Sequence, residues 1–256
     1  AFLLPAAGAA FSSIFLNKII KEGAGHGVPE VIYSVSRYGG LLRLRSSYSR
    51  LISSFLTIGS GGSAGPEAPV VMSGSAIGAN IARLFNLNDR QRVVLVGCGA
   101  AGAISAIFNA PIAGMIFSME VILGEWAAAN LIPIAIAAVA GTQTSYFLQG
   151  KQIPFAHRMF DINPVDIFAC IGLALFTAAA SILLTRTIRT VHHRADQLKL
   201  PAWVKAALGG CAVGLIGLQM PMVLGEGYHA IESMIAGHFT GGIALVCLAG
   251  LAKILA

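Results

Sequence analysis

Residues 59–69 read Gly59-Ser60-Gly61-Gly62-Ser63-Ala64-Gly65-Pro66-Glu67-Ala68-Pro69 and are followed by the apolar segment Val70–Phe85. Proline is accepted in the first turn of a helix, where its missing N–H would be unpaired anyway, so Pro66 and Pro69 predict a helix N-terminus here. Glu67 would then lie where backbone N–H groups and the positive end of the helix dipole converge. Such a position binds anions, either the carboxylate itself or a solute that displaces it.

The composition indicates an integral membrane protein. Hydrophobic residues make up 56% of the 256 residues and charged residues 11%, and the mean hydropathy is +0.77. A soluble domain carries about 25% charged residues. Several apolar runs approach the roughly 20 residues that a membrane-spanning helix requires, so we predict an all-α, multi-pass protein with lipid as its solvent. The net charge of +6 then concerns orientation in the membrane, and we expect no nucleic-acid partner.

A second glycine-rich loop, Gly23–Glu30, leads through Pro29 into a short helix predicted at about residues 29–38. That helix is too short to span a bilayer alone. Transporters use such broken helices, which start with glycine and proline, to place helix termini near the membrane centre. The other apolar segments are predicted at about residues 2–20, 53–58, 93–107, 112–123, 127–147, 163–184, 206–220 and 241–256, and Asn88 or Asp89 is predicted to cap the helix that contains 93–107.

Two groups of basic residues predict polar loops at the membrane surface. The first group lies between two apolar segments and is expected to be cytoplasmic under the positive-inside rule. The second follows the long helix that we expect to end at about Leu184. The groups are Arg37, Arg43, Arg45 and Arg50, and then Arg186, Arg189, His192, His193, Arg194, Lys199 and Lys205.

Glu67 and Glu120 are the carboxylates that fall in the predicted membrane segments. Ionisable groups there are costly and are by default functional. No His/Glu pair has the helical spacing of a metal site, and no Gly-Lys-Ser/Thr follows the glycine-rich stretch as in a phosphate-binding loop. The serines also do not fit the Gly-x-Ser-Gly pattern of an intramembrane protease. We therefore expect no metal, no cofactor and no enzymatic activity.

Three motifs, in order along nearly the whole chain, resemble the voltage-gated chloride channel family of anion channels and chloride/proton antiporters. Gly25-His26-Gly27-Val28-Pro29-Glu30 is similar to the family's first anion-binding loop. Gly65-Pro66-Glu67-Ala68-Pro69 is similar to its Gly-Lys/Arg-Glu-Gly-Pro loop. Asn109-Ala110-Pro111, with Gly114 and Phe117-x-x-Glu120, is similar to the segment that follows.

The resemblance implies an inverted-repeat fold with broken and re-entrant helices, assembled as a homodimer with one anion pathway in each subunit. Residues of about 1–148 would form most of the first repeat and about 163–256 the start of the second, with the family's first and last helices absent from this fragment. Glu67 would be the gate, whose carboxylate leaves an anion site when it swings aside or is protonated. The implied anion-binding residues are His26, Gly27, Gly65, Ala68 and Val70.

The chain departs from the family pattern at three points. His26 stands where the family usually has a serine that contacts the central anion, and its imidazole either donates an N–H to the pathway or turns away from it. Val121 stands where antiporters commonly carry a second acidic residue. Glu120 is then either a structural carboxylate, hydrogen-bonded at a helix end, or part of a proton pathway. The family's Gly-x-Phe-x-Pro motif does not occur in these 256 residues.

The residues leave several functions open. The favoured hypothesis is chloride transport through a Glu67-gated pathway in a bacterial inner membrane, by a passive channel or by a proton-coupled antiporter. A fluoride- or nitrate-selective member is an alternative, because the substituted serine bears on selectivity. A cation-coupled carrier of an organic solute would share the Gly/Pro pattern. The remaining alternatives are an ordinary capped helix at Glu67 and a purely structural membrane subunit.

Overall fold

A computed structural model describes residues 2–21, 27–150, 164–236 and 242–256. Every regular element in these ranges is helical, as predicted. The elements are α1 (Leu4–Ile14, continued by a π-helical turn, Phe15–Ile20), α2 (Val28–Tyr38), α3 (Ser46–Gly59), α4 (Glu67–Leu84), α5 (Asp89–Phe108), α6 (Pro111–Phe117, continued by a π-helical turn, Ser118–Leu123), α7 (Ala128–Gln149), α8 (Pro164–Gln197), α9 (Ala202–Gln219), a 3₁₀ turn (Pro221–Val223), α10 (Tyr228–Ile235) and α11 (Ile243–Leu255).

The described residues contain both long and short helices. Four helices in the described ranges are long and apolar enough to cross a membrane, namely Asp89–Phe108, Ala128–Gln149, Asp166–Gln197 and Ala202–Gln219. Shorter apolar helices, Leu4–Ile20, Pro111–Leu123 and Leu245–Leu255, fall below the roughly 20 residues that a full span needs. The mixture of complete and broken helices agrees with the sequence-based prediction.

The chain divides into two compact units. One comprises Phe11–Gly59 and Gly65–Pro154, and the other comprises Ala1–Ala10, Ser60–Ala64 and Phe155–Ala256. The first unit contains the main hydrophobic core, built by α2, α4 and α5 with residues of the second π-helical turn. Its fully buried members include Val31, Val71, Met72, Ala76, Val96 and Ala100.

Glycines let α4 and α5 pack with their backbones in contact. A Cβ added to Gly74 would overlap the carbonyl oxygen of Gly99, and one added to Gly99 would overlap that of Gly74. One turn further along α4, a Cβ at Gly78 would overlap the carbonyl oxygen of Leu95. Small residues are the usual means of close helix packing in lipid, where apolar burial drives association weakly. The orientation of α4 in this unit therefore depends on these glycines.

A capping box starts α5, as the polar turn predicted. The Gln91 backbone N–H donates to Asn88 Oδ1 at 2.9 Å, and the Asn88 N–H donates to Gln91 Oε1 at 3.2 Å. Together these bonds satisfy two backbone donors at the helix start. Arg92 then pairs with Asp89 at 2.7 Å and donates to the Gly39 carbonyl at 2.8 Å. The start of α5 is thereby tied to the turn that follows α2.

The second unit includes the start of α1 packed on α9. Cβ atoms added to Gly210 would crowd the backbone of Pro5 and Ala6, and one added to Gly214 would overlap the Phe2 carbonyl oxygen. In the same unit, α10 begins at Tyr228. Glycine again permits a close backbone approach in this unit.

The predicted end of the long helix at about Leu184 is wrong. α8 runs on to Gln197 and has 34 residues, about 51 Å at 1.5 Å per residue, against a hydrocarbon thickness of about 30 Å. The charges of Arg186, Arg189 and Arg194 are expected outside the hydrocarbon region of a membrane. Arginine is nevertheless a good helix former, so the helix continues through these residues. The second basic group is consequently mostly helical.

The first basic group also differs from the predicted loop. Arg37 lies in the last turn of α2 and Arg50 lies in α3. Arg50 is 9% exposed, and its guanidinium lies 3.7 Å from the carboxylate of Glu30. A charged partner lowers the cost of burying an arginine, and the sequence alone did not show that partner.

We expect Gly78→Ala to destabilise the protein, because the new Cβ would press on the Leu95 backbone, which cannot move as a flexible side chain can. Overpacking of this kind costs about 1–3 kcal/mol. The measured quantity is the midpoint temperature at which heating removes the monodisperse peak in size-exclusion chromatography in detergent. Gly172→Ala in α8 is the matched control, since nothing lies within 4 Å of its added Cβ. Equal midpoints for the two variants would contradict close α4–α5 packing.

Candidate functional site

Glu67 is the first residue of α4, as the prolines around it predicted. Pro66 occupies the N-cap and provides no side-chain cap. The Val70 N–H donates to the Pro66 carbonyl oxygen at 3.0 Å, which is the first bond of the helix. Val70 was expected to offer its N–H to an anion, but in this arrangement that N–H is used by the helix. The N–H groups of Glu67 and Ala68 precede that first bond along the chain.

The Glu67 carboxylate turns back over Gly65. A Cβ built on Gly65 would overlap Glu67 Oε2 and would lie 3.1 Å from Oε1. Glu67 is half-buried in this position. The missing side chain at Gly65 therefore provides the space that the carboxylate occupies. Both residues were expected at the site, and the structure brings them together.

The start of α2 meets the start of α4. Gly27 is the N-cap of α2, with φ of +62° and ψ of −120°, a conformation that glycine adopts without strain. A Cβ added to Gly27 would lie 3.0 Å from the Cβ of Ala68. Glu30 and Val31 donate their N–H groups to the Gly27 carbonyl, at 3.1 and 3.3 Å. Two helix N-termini, each the positive end of a helix dipole, are thereby placed side by side.

His26, the expected serine replacement in the anion site, lies outside the described residues. Its neighbour Gly27 is described and lies against Ala68. The implied anion-binding set is therefore represented in the structure by Gly27, Gly65, Ala68 and Val70. The first three contribute to the junction of α2 and α4, and Val70 stabilises it through its helical bond.

The third motif forms the predicted break between two helices. Asn109 ends α5 in the left-handed conformation, with φ of +51°, and Pro111 begins α6. Gly114 packs so closely on α5 that a Cβ there would overlap Ser105 Oγ. Phe117 packs against the main core. This segment is therefore tightly attached to α5 and supports the π-helical turn that carries Glu120.

Glu120 is exposed and makes no hydrogen bond or ion pair with any described residue. We therefore do not see the structural hydrogen bond that was one of its two expected roles. Val121, which replaces an acidic residue, is 39% exposed in the same turn. The hydrogen-bonded carboxylate of this segment is Glu125, which accepts from Asn130 Nδ2 at 3.1 Å. The sequence did not single out Glu125, because this residue lies between the apolar segments predicted at about 112–123 and 127–147.

The ion pair between Glu30 and Arg50 was also missed. Its sequence signature is a polar face of α3, on which residues recur at helical intervals, namely Ser46, Ser49, Arg50 and Ser53. Ser46 and Ser49 are indeed buried, at 2% and 0% exposure. A buried charge on such a face indicates a polar partner from another element, and for Arg50 that partner is Glu30 in the first turn of α2.

This chain is similar to known proteins along most of its length. Residues 8–256 match the family described as voltage gated chloride channel. A protein of Ralstonia nicotianae described as ClcB-like is 29% identical over 256 aligned residues, covering 97% of this chain and 60% of the relative. The chain therefore spans about 60% of the length of that relative.

Two solved structures share the fold, each at 20% identity and over 99% of this chain. One is a slow cyanobacterial Cl⁻/H⁺ antiporter, with a TM-score of 0.78 and 61% of its chain covered. The other is a CLC-type fluoride/proton antiporter, with a TM-score of 0.67 and 72% covered. The predicted all-α, chloride-channel-type membrane fold is thus confirmed. With the family match over nearly its whole length, the chain belongs to the voltage-gated chloride channel family.

Proposed function

We propose that the protein transports chloride across a membrane through a pathway gated by Glu67. The observation that carries the proposal is the junction of the N-termini of α2 and α4, with the Glu67 carboxylate folded over Gly65 at that junction. A helix N-terminus favours an anion over a cation. This preference weighs against the cation-coupled carrier, and family membership weighs against an enzyme.

The mechanism follows from competition for one positive region. In the closed arrangement the Glu67 carboxylate occupies the helix N-terminus and excludes a free anion. When the side chain rotates away or is protonated, a chloride ion takes its place. Backbone dipoles bind the ion strongly enough for entry and weakly enough for release. We propose Gly27, Gly65 and Ala68 as lining of the anion site, together with His26, while Val70 maintains the helix start.

Chloride/proton exchange is the second candidate, and the environment of Glu120 favours it. A residue that relays protons needs access to water and a side chain that is not held by a structural hydrogen bond. Glu120 is exposed and makes no such bond to the described residues. Val121 cannot carry a proton, so Glu120 would act without an acidic neighbour at that position. Both solved structures of the same fold are titled as proton-coupled antiporters.

The assembly and location follow from the same proposal. We propose two repeats, at about 1–148 and 163–256, in a homodimer embedded in a bacterial inner membrane. The apolar helices Asp166–Gln197 and Ala202–Gln219 support a bilayer location, because only 0% and 17% of the residues in an 18-residue apolar stretch of each are buried within the chain. Such surfaces need lipid or another subunit to cover them. Fluoride is an alternative substrate, because one of the two solved structures that share this fold is titled as a fluoride/proton antiporter.

We expect Glu67→Gln to abolish the pH dependence of chloride efflux from liposomes that contain the full-length protein. Glutamine has nearly the same shape but no charge to compete with chloride and no proton to gain. The measurement is efflux at pH 4.5 and pH 7.5. Glu125→Gln is the control, because it removes a carboxylate outside the helix junction. Unchanged efflux and an unchanged pH profile in folded Glu67→Gln would exclude Glu67 as the gate.

Gly65→Ala should displace the Glu67 carboxylate, because the new Cβ needs the space that Oε2 now occupies. We expect faster chloride efflux at neutral pH and a weaker response to acid than in the wild type. Gly59→Ala is the matched control in the same chain segment, since its added Cβ would meet only Phe55 at 3.9 Å. If both variants behave as the wild type, the carboxylate is not held over Gly65 in the working protein.

Glu120→Gln separates a channel from an antiporter. If Glu120 relays protons, chloride efflux persists in this variant while the accompanying proton movement falls to background. The measurement records chloride and external pH together under a chloride gradient. Proton movement that stays in the wild-type ratio to chloride would show that the relay lies elsewhere. Glu125→Gln again controls for loss of a nearby carboxylate.

A further inference from the structure

The last third of α8 extends beyond the apolar part of that helix. The apolar part, residues 167–184, is about 27 Å long at 1.5 Å per residue, close to a hydrocarbon thickness of about 30 Å. Residues 185–197 continue the helix for about 20 Å. The headgroup layer on each side of the hydrocarbon is about 5–7 Å thick. With the apolar part in the bilayer, the turns that directly follow Leu184 therefore lie at the level of the lipid headgroups.

Arg186 and Arg189 occupy these turns, about 3 and 8 Å beyond Leu184 along the helix axis. They are three residues apart, so they are neighbours on the helix surface, with about 5–6 Å between their Cβ atoms. Both are exposed. The Cα–Cβ bonds of a helix tilt toward its N-terminus, which for this part of α8 is the bilayer side. Both side chains therefore leave the helix in the direction of the headgroups.

The positive charge of this part of α8 is concentrated on one side of the helix. At 3.6 residues per turn, Ile188, Val191 and Ala195 lie on the face opposite Arg186 and Arg189. A helix with a basic face and an apolar face is typical of segments at a membrane surface. The two arginines thus form a directed basic patch, which a polar loop of the predicted kind would not provide.

Acidic side chains do not neutralise this patch within the described residues. The acidic residue of this part of α8 is Asp196, and its carboxylate lies 3.4 Å from the ring nitrogen of His192. Neither Arg186 nor Arg189 forms an ion pair with any described residue. Two exposed, uncompensated guanidinium groups beside a bilayer attract anionic groups of the lipid surface.

Stabilisation of the helix end does not account for the two arginines. Cations interact favourably with a helix C-terminus, but the effect falls off within the last turn. Arg194 lies in that last turn, so the helix dipole explains its position. Arg186 and Arg189 lie roughly three and two turns before the end of α8. Their position agrees instead with the depth of the headgroups.

The chemistry of the pair indicates a ligand with two phosphates. A guanidinium is a planar fork of N–H donors that binds one phosphate through two parallel hydrogen bonds, and it stays charged at any physiological pH. Two guanidinium groups on adjacent turns can therefore bind two phosphates of one molecule. Phospholipids present such groups at high local concentration at this depth, and clustered basic residues beside membrane-spanning helices bind anionic headgroups.

We propose that Arg186 and Arg189 form a binding site for a phospholipid whose headgroup carries two phosphates, with one phosphate on each arginine. The site lies on the exposed side of α8 at the end of its apolar part. This inference goes beyond chloride transport. It depends on the bilayer location of α8 and not on the gate at Glu67.

The test measures lipid binding to the purified full-length protein in detergent by native mass spectrometry. The probe is cardiolipin, which carries two phosphates, and the comparison lipid is phosphatidylglycerol, which carries one, at equal total phosphate. We expect the wild type to bind cardiolipin at least about fivefold more tightly. Arg186→Gln and Arg189→Gln should each weaken cardiolipin binding about fivefold, and the double variant about 25-fold, which corresponds to about 1 kcal/mol for each basic residue.

Arg194→Gln is the charge-matched control on the same helix. Arg194 is exposed and lies about 15 Å beyond Leu184 along the axis, farther than the screening length of about 8 Å at physiological salt. We expect it to change cardiolipin binding by less than about twofold. A loss equal to that of Arg186→Gln would overturn the proposal, because net charge alone would then explain the effect.

Two further outcomes would also overturn the proposal. Equal affinity of the wild type for the two lipids would show diffuse attraction to a charged surface without a two-phosphate site. Unchanged cardiolipin binding by the double variant, eluting as the wild-type peak in size-exclusion chromatography, would place the lipid elsewhere. The lipid measurement requires no ion flux. A failure of chloride transport and a failure of this site are therefore observed separately.

Discussion

The contact between Gly27 and Ala68 is the constraint on which the site depends. It brings the starts of two helices within van der Waals distance, so that two sets of backbone dipoles point at one region. Gly27 makes this approach feasible in two ways, because it has no Cβ to collide with Ala68 and because its φ of +62° suits glycine. A larger residue would separate the helices and weaken the field between them.

The glycine-mediated packing of α4 on α5 holds that junction in place. Val71, Met72 and Ala76 are completely buried in the core that these helices form. Directly before this rigid part of α4, Glu67 is only half-buried and has no side chain opposite it at Gly65. The proposed gate rests on this combination of a fixed helix start and a half-buried carboxylate folded over Gly65.

Each ionisable residue near the junction has a different environment. Glu67 lies at a helix N-terminus, Glu30 is paired with the buried Arg50, and Glu120 is exposed within a π-helical turn. Because charges in a membrane are stabilised only by specific partners or by water, these environments distinguish their roles. An anion and the Glu67 carboxylate can compete for the same helix N-terminus, and a water-accessible carboxylate can exchange protons.

The sequence by itself determined the helical class, the helix starts beside Pro29, Pro66 and Pro111, and the place of Glu67 in the first turn of α4. These features follow from local rules, since proline geometry and capping act within a few residues and hydropathy acts within one helix. The family motifs indicated the chloride-channel-type fold in the same way. Helix ends were less certain, as α8 shows, because a change from apolar to basic side chains marks the membrane surface without ending the helix.

Only the tertiary structure decided which distant residues meet. Gly27 lies against Ala68, and Glu30 pairs with Arg50, although each pair is far apart along the chain. Arg50 was therefore placed in a loop by sequence reasoning, because an arginine without a visible partner is expected in water. Its burial depends on the packing of α2, α3 and α4, and such long-range packing is what local sequence patterns do not specify.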